Sequence, residues 1–224
     1  MGLVPGLDSL GGLSAGLILD RFIVLEGIDG SGKTSRAREL VDVLRDLNRR
    51  SLLTSEPTAG SVGQLIRKIL KGQEIVTSET LAWLFASDRY EHLYGETGII
   101  RFMEQGYVVC DRYLFSSLAY QVSYVENPRL TYALNASFPL PGLLLYLDLP
   151  VETAMSRIES RGGKKEMFDQ ADKLQRIRDA YRDAFMLYEG SGMAVVQIDA
   201  SRSPEEVADQ IAKETTGYVR GIDP

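Results

Sequence analysis

The sequence predicts a three-layer α/β/α fold on a five-stranded parallel sheet, with a mobile lid. Three observations carry this. Five short apolar runs alternate with helix-length segments. Each run is continuously apolar, as strands covered on both faces are. The polar clusters fall directly after those runs, where open parallel sheets bind ligands.

The first strand is expected at about 21–26, around Phe22-Ile23-Val24-Leu25. The helix after it carries Ala37, Leu40, Val41, Leu44 and Leu47 on one stripe of period 3.6, with Arg36, Arg38, Asp42, Arg45 and Asp46 off it. Ser51-Leu52-Leu53-Thr54 is the second strand and ends in a Glu56-Pro57-Thr58 turn. Residues 61–71 and 78–94 read as helices, the second capped by Thr77 or Ser78, and a short helix is expected over 96–105. Tyr107–Cys110 is the third strand. Residues 114–124 and 128–137 tend to helix, with Pro128 near a helix start. Gly142–Leu147 is the fourth strand, closed by Asp148-Leu149-Pro150. A helix from about 151 leads into a basic loop, Arg161-Gly162-Gly163-Lys164-Lys165. A long helix over roughly 168–189 puts Leu174, Ile177, Tyr181, Phe185 and Tyr188 on one side. Ala194–Ile198 is the fifth strand and 204–215 the last helix.

Residues 1–20 are expected to form an N-terminal extension, leaving 21–224 as one domain with a lid at about 157–168. The extension is apolar but carries five glycines and Pro5, which argues against a spanning helix. No Lys or Arg precedes Arg21, so a secretory leader is not expected and a cytoplasmic location is. The net charge of −6 argues against a nucleic-acid-coating surface. One cysteine, Cys110, excludes an internal disulfide, and its apolar run marks it as a buried strand residue. The single histidine, His92, cannot build a multi-histidine metal centre and is expected on a helix surface or near a helix end.

The richest stretch is Gly27-Ile28-Asp29-Gly30-Ser31-Gly32-Lys33-Thr34. It matches the phosphate-binding pattern G-x-x-x-x-G-K-[ST] with a strand before it and a helix after it. Backbone N–H groups of such a loop turn inward around a phosphate chain, and the helix N-terminus adds its positive end. Lys33 would reach the β- and γ-phosphates, and the Thr34 hydroxyl would sit on Mg²⁺. Asp111, at the end of the third strand, either holds that Mg²⁺ or caps the next helix. Arg112 beside it suits bidentate phosphate recognition, or a surface pair with Asp111.

Ser117, Tyr120 and Gln121 share one helix face, which suits a sugar or base edge as well as a solvated surface. Phe85 and Arg89 lie one turn apart, so a ring that stacks a base and a guanidinium that grips it fit there; alone, Phe85 reads as core. Arg157 precedes the basic loop by one turn, and together they suit a lid over phosphates or a solvated loop.

Taken together, FIVLEGIDGSGKT at 22–34, SEPT at 55–58, LFASDR at 84–89, DRYLFSSLAYQ at 111–121 and LQRIRDAY at 174–181 resemble the thymidylate kinases of the nucleoside monophosphate kinase group. The resemblance covers about 21–200. It implies transfer of the γ-phosphoryl group of ATP to dTMP, with Mg²⁺, in dTTP synthesis, and a homodimer. It implies that Asp29 meets the deoxyribose 3′-hydroxyl, Phe85 stacks on thymine and Arg89 bonds its O4. Arg112 would bind the acceptor phosphate, Ser117 and Gln121 would lie along the base, and Tyr120 would crowd the 2′ position. Tyr181 would flank the sugar and phosphate, and Pro57 would shape the acceptor wall.

Two positions depart from the family. Ser55 stands where an arginine is frequent, which removes an acceptor-side charge. Gly30 stands where one branch carries a basic residue; the other branch keeps its catalytic charge in the lid, where this chain has Arg161, Lys164 and Lys165. A lid-arginine enzyme is therefore expected, with Arg161 in that role and Arg157 near ATP. Another nucleoside or nucleotide kinase on the same scaffold, such as a deoxynucleoside kinase or one preferring dUMP or UMP, is the alternative. A GTPase switch is not expected, because neither D-x-x-G nor N-K-x-D follows Thr34.

Overall fold

A computed structural model describes residues 16–122, 125–160 and 167–223. Its sheet has the order β2-β3-β1-β4-β5, with every pair parallel. The strands are β1 (Ile18–Glu26), β2 (Ser51–Ser55), β3 (Tyr107–Asp111), β4 (Leu140–Asp148) and β5 (Ala194–Asp199). β1 is central, and Phe22, Ile23, Val24 and Leu25 are wholly buried, as its unbroken apolar run requires.

From β1 the chain moves outward to β2, while from β3 it crosses to β4 in the opposite sense. Right-handed crossovers place those two connections on opposite faces of the sheet. One face carries α1 (Lys33–Asp46) and α9 (Pro204–Ile222), packed on each other. The other carries α5 (Leu114–Gln121) against α8 (Met167–Met186), with α3 (Ser78–Tyr94) and α6 (Pro128–Asn135) beside them. α2 (Ser61–Leu70) rests on α3, α4 (Ile99–Met103) precedes β3, and α7 (Val151–Ser160) follows β4. The switch point thus lies between the carboxyl ends of β1 and β3, below the phosphate loop and Asp111.

Several boundaries differ from expectation. β1 starts at Ile18, which pairs with Leu140, so a domain boundary at residue 20 falls inside a strand. The polar pair Asp20-Arg21 hid this, and the register indeed shifts between Leu19 and Ile23. β4 likewise runs through Pro141, which pairs with Leu19; the neighbouring Leu140 N–H makes the bond to Leu17 O at 2.9 Å, and pairing with β5 begins only at Leu143. α9 passes Thr215-Thr216-Gly217 to Ile222, since Thr215 and Val219 lie on its buried stripe. α4 is shorter than 96–105, and α5 and α6 stop at Gln121 and Asn135. α3 spans 78–94 as expected, with the Thr77 side chain accepting from Thr80 N. Among the described residues no helix is long and apolar enough to cross a membrane.

Candidate active site

The loop between β1 and α1 turns on three glycines with positive φ: Gly27 at 151°, Gly30 at 86° and Gly32 at 90°. A Cβ on Gly30 would stand 2.8 Å from the carbonyl oxygen of Ala154, so α7 packs flush against the loop there. Ile28 is wholly buried and Ser31 nearly so, and these anchor the loop to the core. Lys33 folds back over the loop, donating from Nζ to Gly27 O and Ile28 O, both at 2.8 Å, and to Ser31 Oγ at 3.3 Å. Burial lowers its pKa from 10.5 to about 7, helped by the nearby Arg112 charge and opposed by Asp29, Asp111 and Glu26.

Thr34 and Asp111 meet at this point. The Thr34 hydroxyl donates to Asp111 Oδ2 at 2.5 Å, while Asp111 Oδ1 is buried without a hydrogen-bond partner among the described residues. A hydroxyl beside an unpartnered carboxylate oxygen suits a hard divalent cation whose remaining ligands are phosphate oxygens and water. No cluster of three His, Cys, Asp or Glu residues exists among the described residues, so no all-protein metal cage competes with this arrangement.

Arg112 follows Asp111 in the left-handed region, at φ 76°, a conformation a non-glycine residue keeps only when its surroundings impose it. Its N–H donates to Leu25 O at 3.0 Å. Its Nη2 donates to Asp29 Oδ1 at 2.5 Å, and Nη1 to Ser116 Oγ at 3.0 Å, Gly27 O at 3.3 Å and Tyr181 OH at 3.4 Å. Tyr120 presents its ring 5.1 Å from the guanidinium carbon.

Behind Arg112 lies Glu26, the last residue of β1 and wholly buried. Oε1 accepts from Tyr113 N at 2.8 Å and Ser116 N at 3.0 Å; Oε2 accepts from Ser116 Oγ at 2.6 Å and Tyr181 OH at 2.9 Å. Burial pushes this carboxyl up, while the Ser116 bond and the Arg112 charge pull it back.

A cavity of about 940 Å³ opens beside the loop. Asp29, Thr34, Pro57, Phe85, Arg89, Asp111, Arg112, Ser117, Tyr120 and Gln121 all line it, drawn from the phosphate loop, the β2–α2 turn, α3, the end of β3 and α5. Gly30, Gly32 and Lys33 line a smaller adjoining cavity of about 180 Å³ that shares Asp29, Thr34, Asp111 and Arg112. Tyr181, expected against sugar and phosphate, is wholly buried and outside both linings; its hydroxyl serves Glu26 and Arg112 instead. Arg157 donates to Ala200 O at 3.1 Å, away from the large cavity. Arg161, Lys164 and Lys165 lie outside the described residues.

The turn after β2 holds the far wall, and its Glu56–Pro57 bond is cis. Asp88 on α3 takes Thr58 N at 2.7 Å and Thr58 Oγ1 at 2.6 Å. Glu56 is buried against Arg89, and its other oxygen lies 3.1 Å from His92 Nδ1. His92 Nε2 in turn lies 2.7 Å from Thr54 Oγ1, so this histidine is near its helix end but faces inward, not outward. Asn135 on α6 completes the shell around Arg89. Arg67 on α2 and Arg38 on α1 also line the cavity, and they supply cationic groups on a wall where Ser55 offers none.

The sequence assigned no role to Glu26, Glu56, Arg67, Asp88 or Asn135, and noted Ser116 only as a neighbour of Ser117, Tyr120 and Gln121 on one helix. A signal existed for Glu26, an acid directly after the apolar run 22–25, and for Glu56, an acid inside the SEPT motif. None existed for Asn135, which meets Arg89 only through tertiary packing.

A phosphate loop after the central strand of a 2-3-1-4-5 parallel sheet, with a large open cavity beside it, defines a P-loop kinase. The family model described as thymidylate kinase matches residues 25–211. A Treponema pallidum protein carrying the thymidylate kinase name is 38% identical over 208 residues, 91% of this chain and 98% of its own. Proteins named "Probable thymidylate kinase" are 37% identical over 198 residues in Methanococcus aeolicus (87% of this chain, 95% of theirs) and 42% over 167 in Pyrococcus horikoshii (71% and 80%). The chain belongs to the thymidylate kinase family.

Proposed function

We propose that this protein transfers the γ-phosphoryl group of ATP to dTMP, giving dTDP and ADP. The observation that carries the reading is that Phe85 and Arg89, one turn apart on α3, open on the same cavity as Arg112 and the phosphate loop. Phe85 offers a face for thymine. Arg89 has five N–H groups, and four are directed at Glu56, Asn135 and Ser117; the fifth is left for the base O4. Ser117 and Gln121 lie along the base, Tyr120 crowds the 2′ position, and Asp29 meets the 3′-hydroxyl.

The nucleophile is an oxygen of the dTMP phosphate, ionised near neutral pH, so no strong general base is required. The γ-phosphorus–oxygen bond to ADP breaks as the bond to that oxygen forms. Catalysis is alignment and charge stabilisation. Arg112 holds the acceptor phosphate. Lys33 swings from the loop carbonyls to the β- and γ-phosphates, and Arg161 approaches the moving group from the lid. Thr34 and Asp111 would hold Mg²⁺, which would supply positive charge against the negative charge of the donor phosphates.

The same reading includes a homodimer through α3. Trp83, Tyr90 and Tyr94 are 56%, 61% and 47% exposed and recur at seven- and four-residue spacing, so they form one outward aromatic stripe. A Trp83→Glu variant should shift the sedimenting mass to that of a monomer.

The function is tested by coupled ADP release across dTMP, dUMP, UMP, dCMP, dGMP and thymidine. dTMP should give the highest kcat/KM. Preference for thymidine would make the protein a nucleoside kinase, and preference for dUMP or UMP would reassign the base pocket.

A further inference from the structure

We propose that Glu26 is the positioning residue for Arg112, acting by orienting two hydroxyl groups. This rests on Arg112 binding the acceptor phosphate, as proposed above.

The two oxygens of Glu26 have separate tasks. Oε1 takes the N–H groups of Tyr113 and Ser116, and so caps α5, whose N-terminal residue provides no side-chain cap. Oε2 takes the hydroxyls of Ser116 and Tyr181. Each hydroxyl has one proton. The two hydroxyls also lie 2.9 Å from each other, and Tyr181 OH lies 3.2 Å from Gly27 O, but the charged carboxylate is the strongest acceptor within reach of either proton. With both protons on it, lone pairs of both oxygens are left for Arg112 Nη1, which donates to both and to Gly27 O at 3.3 Å. The guanidinium springs from a left-handed backbone position and is thereby held on one edge by Ser116 and Tyr181 and on the other by Asp29. The carboxylate never reaches the cavity, so it acts on the acceptor only through Arg112.

Glu26→Gln separates these tasks. The amide oxygen can still cap α5. The amide nitrogen donates to a hydroxyl where Oε2 accepted, and this turns a hydroxyl proton toward Arg112. Calorimetric binding of dTMP and of thymidine should then diverge in the full chain. The variant should bind dTMP about 10- to 100-fold more weakly, the range of one lost charged hydrogen bond, and bind thymidine, which lacks the phosphate, like wild type. Equal loss for both ligands, or no loss for either, overturns the proposal. Should Glu26→Gln fail to fold, Tyr181→Phe removes one relay hydroxyl and must show the same dTMP-only loss, several-fold; its absence overturns the proposal as well. Wild-type protein that binds thymidine and dTMP equally would overturn the assignment of Arg112 itself, and the Glu26 proposal with it. Wild-type preference for dTMP with an indifferent variant removes only the role of Glu26.

Discussion

Glu56 Oε2 accepts from both Nε and Nη2 of Arg89, at 2.9 and 2.7 Å, in a pair almost wholly withdrawn from water. Two N–H groups on one oxygen fix the guanidinium plane, and Asn135 and Ser117 hold its remaining edge. The Arg89 side chain, proposed above to read the base, is thus set by a turn 33 residues upstream.

Removing Glu56 should therefore cost both stability and base choice. Glu56→Ala leaves a buried guanidinium without its counter-charge, which typically costs about 3–5 kcal/mol. Urea unfolding should show that loss. The kcat/KM ratio of dTMP over dCMP should narrow, because a free guanidinium no longer demands an acceptor at the base 4-position. A loss under about 1 kcal/mol with an unchanged ratio would mean that Arg89 holds itself in place.

Lys33 should take up a proton when nucleotide binds. Its folded pKa is about 7 against 10.5 ordinarily, so above pH 7 the free protein carries it largely neutral. Phosphate beside Nζ favours the ammonium form. ATP titrations at pH 8.5 in two buffers of different ionisation heat should report uptake of about one proton. Lys33→Met should abolish the uptake and nearly all turnover. The linkage also has a sign for stability without nucleotide. The unfolded chain binds more protons than the folded one between pH 7 and 10.5, so Lys33 contributes a rise in stability across that window. Denaturation of Lys33→Met should lack this contribution.

Chelation of Mg²⁺ should stop turnover, and Asp111→Asn should raise the half-saturating Mg²⁺ concentration by about 10- to 100-fold. The unpartnered Asp111 Oδ1 beside Thr34 motivates this. Unchanged Mg²⁺ dependence in Asp111→Asn would leave Asp111 only as the acceptor of the Thr34 hydroxyl.

Arg161→Ala should lower kcat by about 10³-fold, the low end for a catalytic arginine in phosphoryl transfer, with little change in dTMP binding. The phosphate loop offers no substitute: Gly30 has positive φ and no room beside Ala154 for a Cβ without movement. An added Gly30→Arg change should accordingly fail to restore kcat. If Arg161→Ala leaves kcat unchanged, Lys164 or Lys165 carries the charge.

Local pattern was enough for much of this protein. Unbroken apolar runs at 22–25, 107–110 and 143–147 dictate buried parallel strands, and the spacing at 27–34 dictates a phosphate loop. The i, i+4 spacing that joins Phe85 to Arg89 and Ser117 to Gln121 also placed each pair on one helical face, because the period of a helix is fixed by its backbone. The strand-end position of Asp111 was visible for the same reason.

Only the tertiary structure decided which of these polar groups face the cavity and which hold those that do. Tyr181 sits on the apolar stripe of α8 and shares a motif with the family, yet its hydroxyl turns behind Arg112, 69 residues away. Glu26 meets Ser116 and Tyr181 across separations of 90 and 155 residues. His92 faces inward because Thr54 and Glu56 arrive from β2. Sequence periodicity encodes the direction of a side chain relative to its own helix or strand. It does not encode which distant element packs there, and in this site the carboxylate behind Arg112 comes from the neighbouring strand.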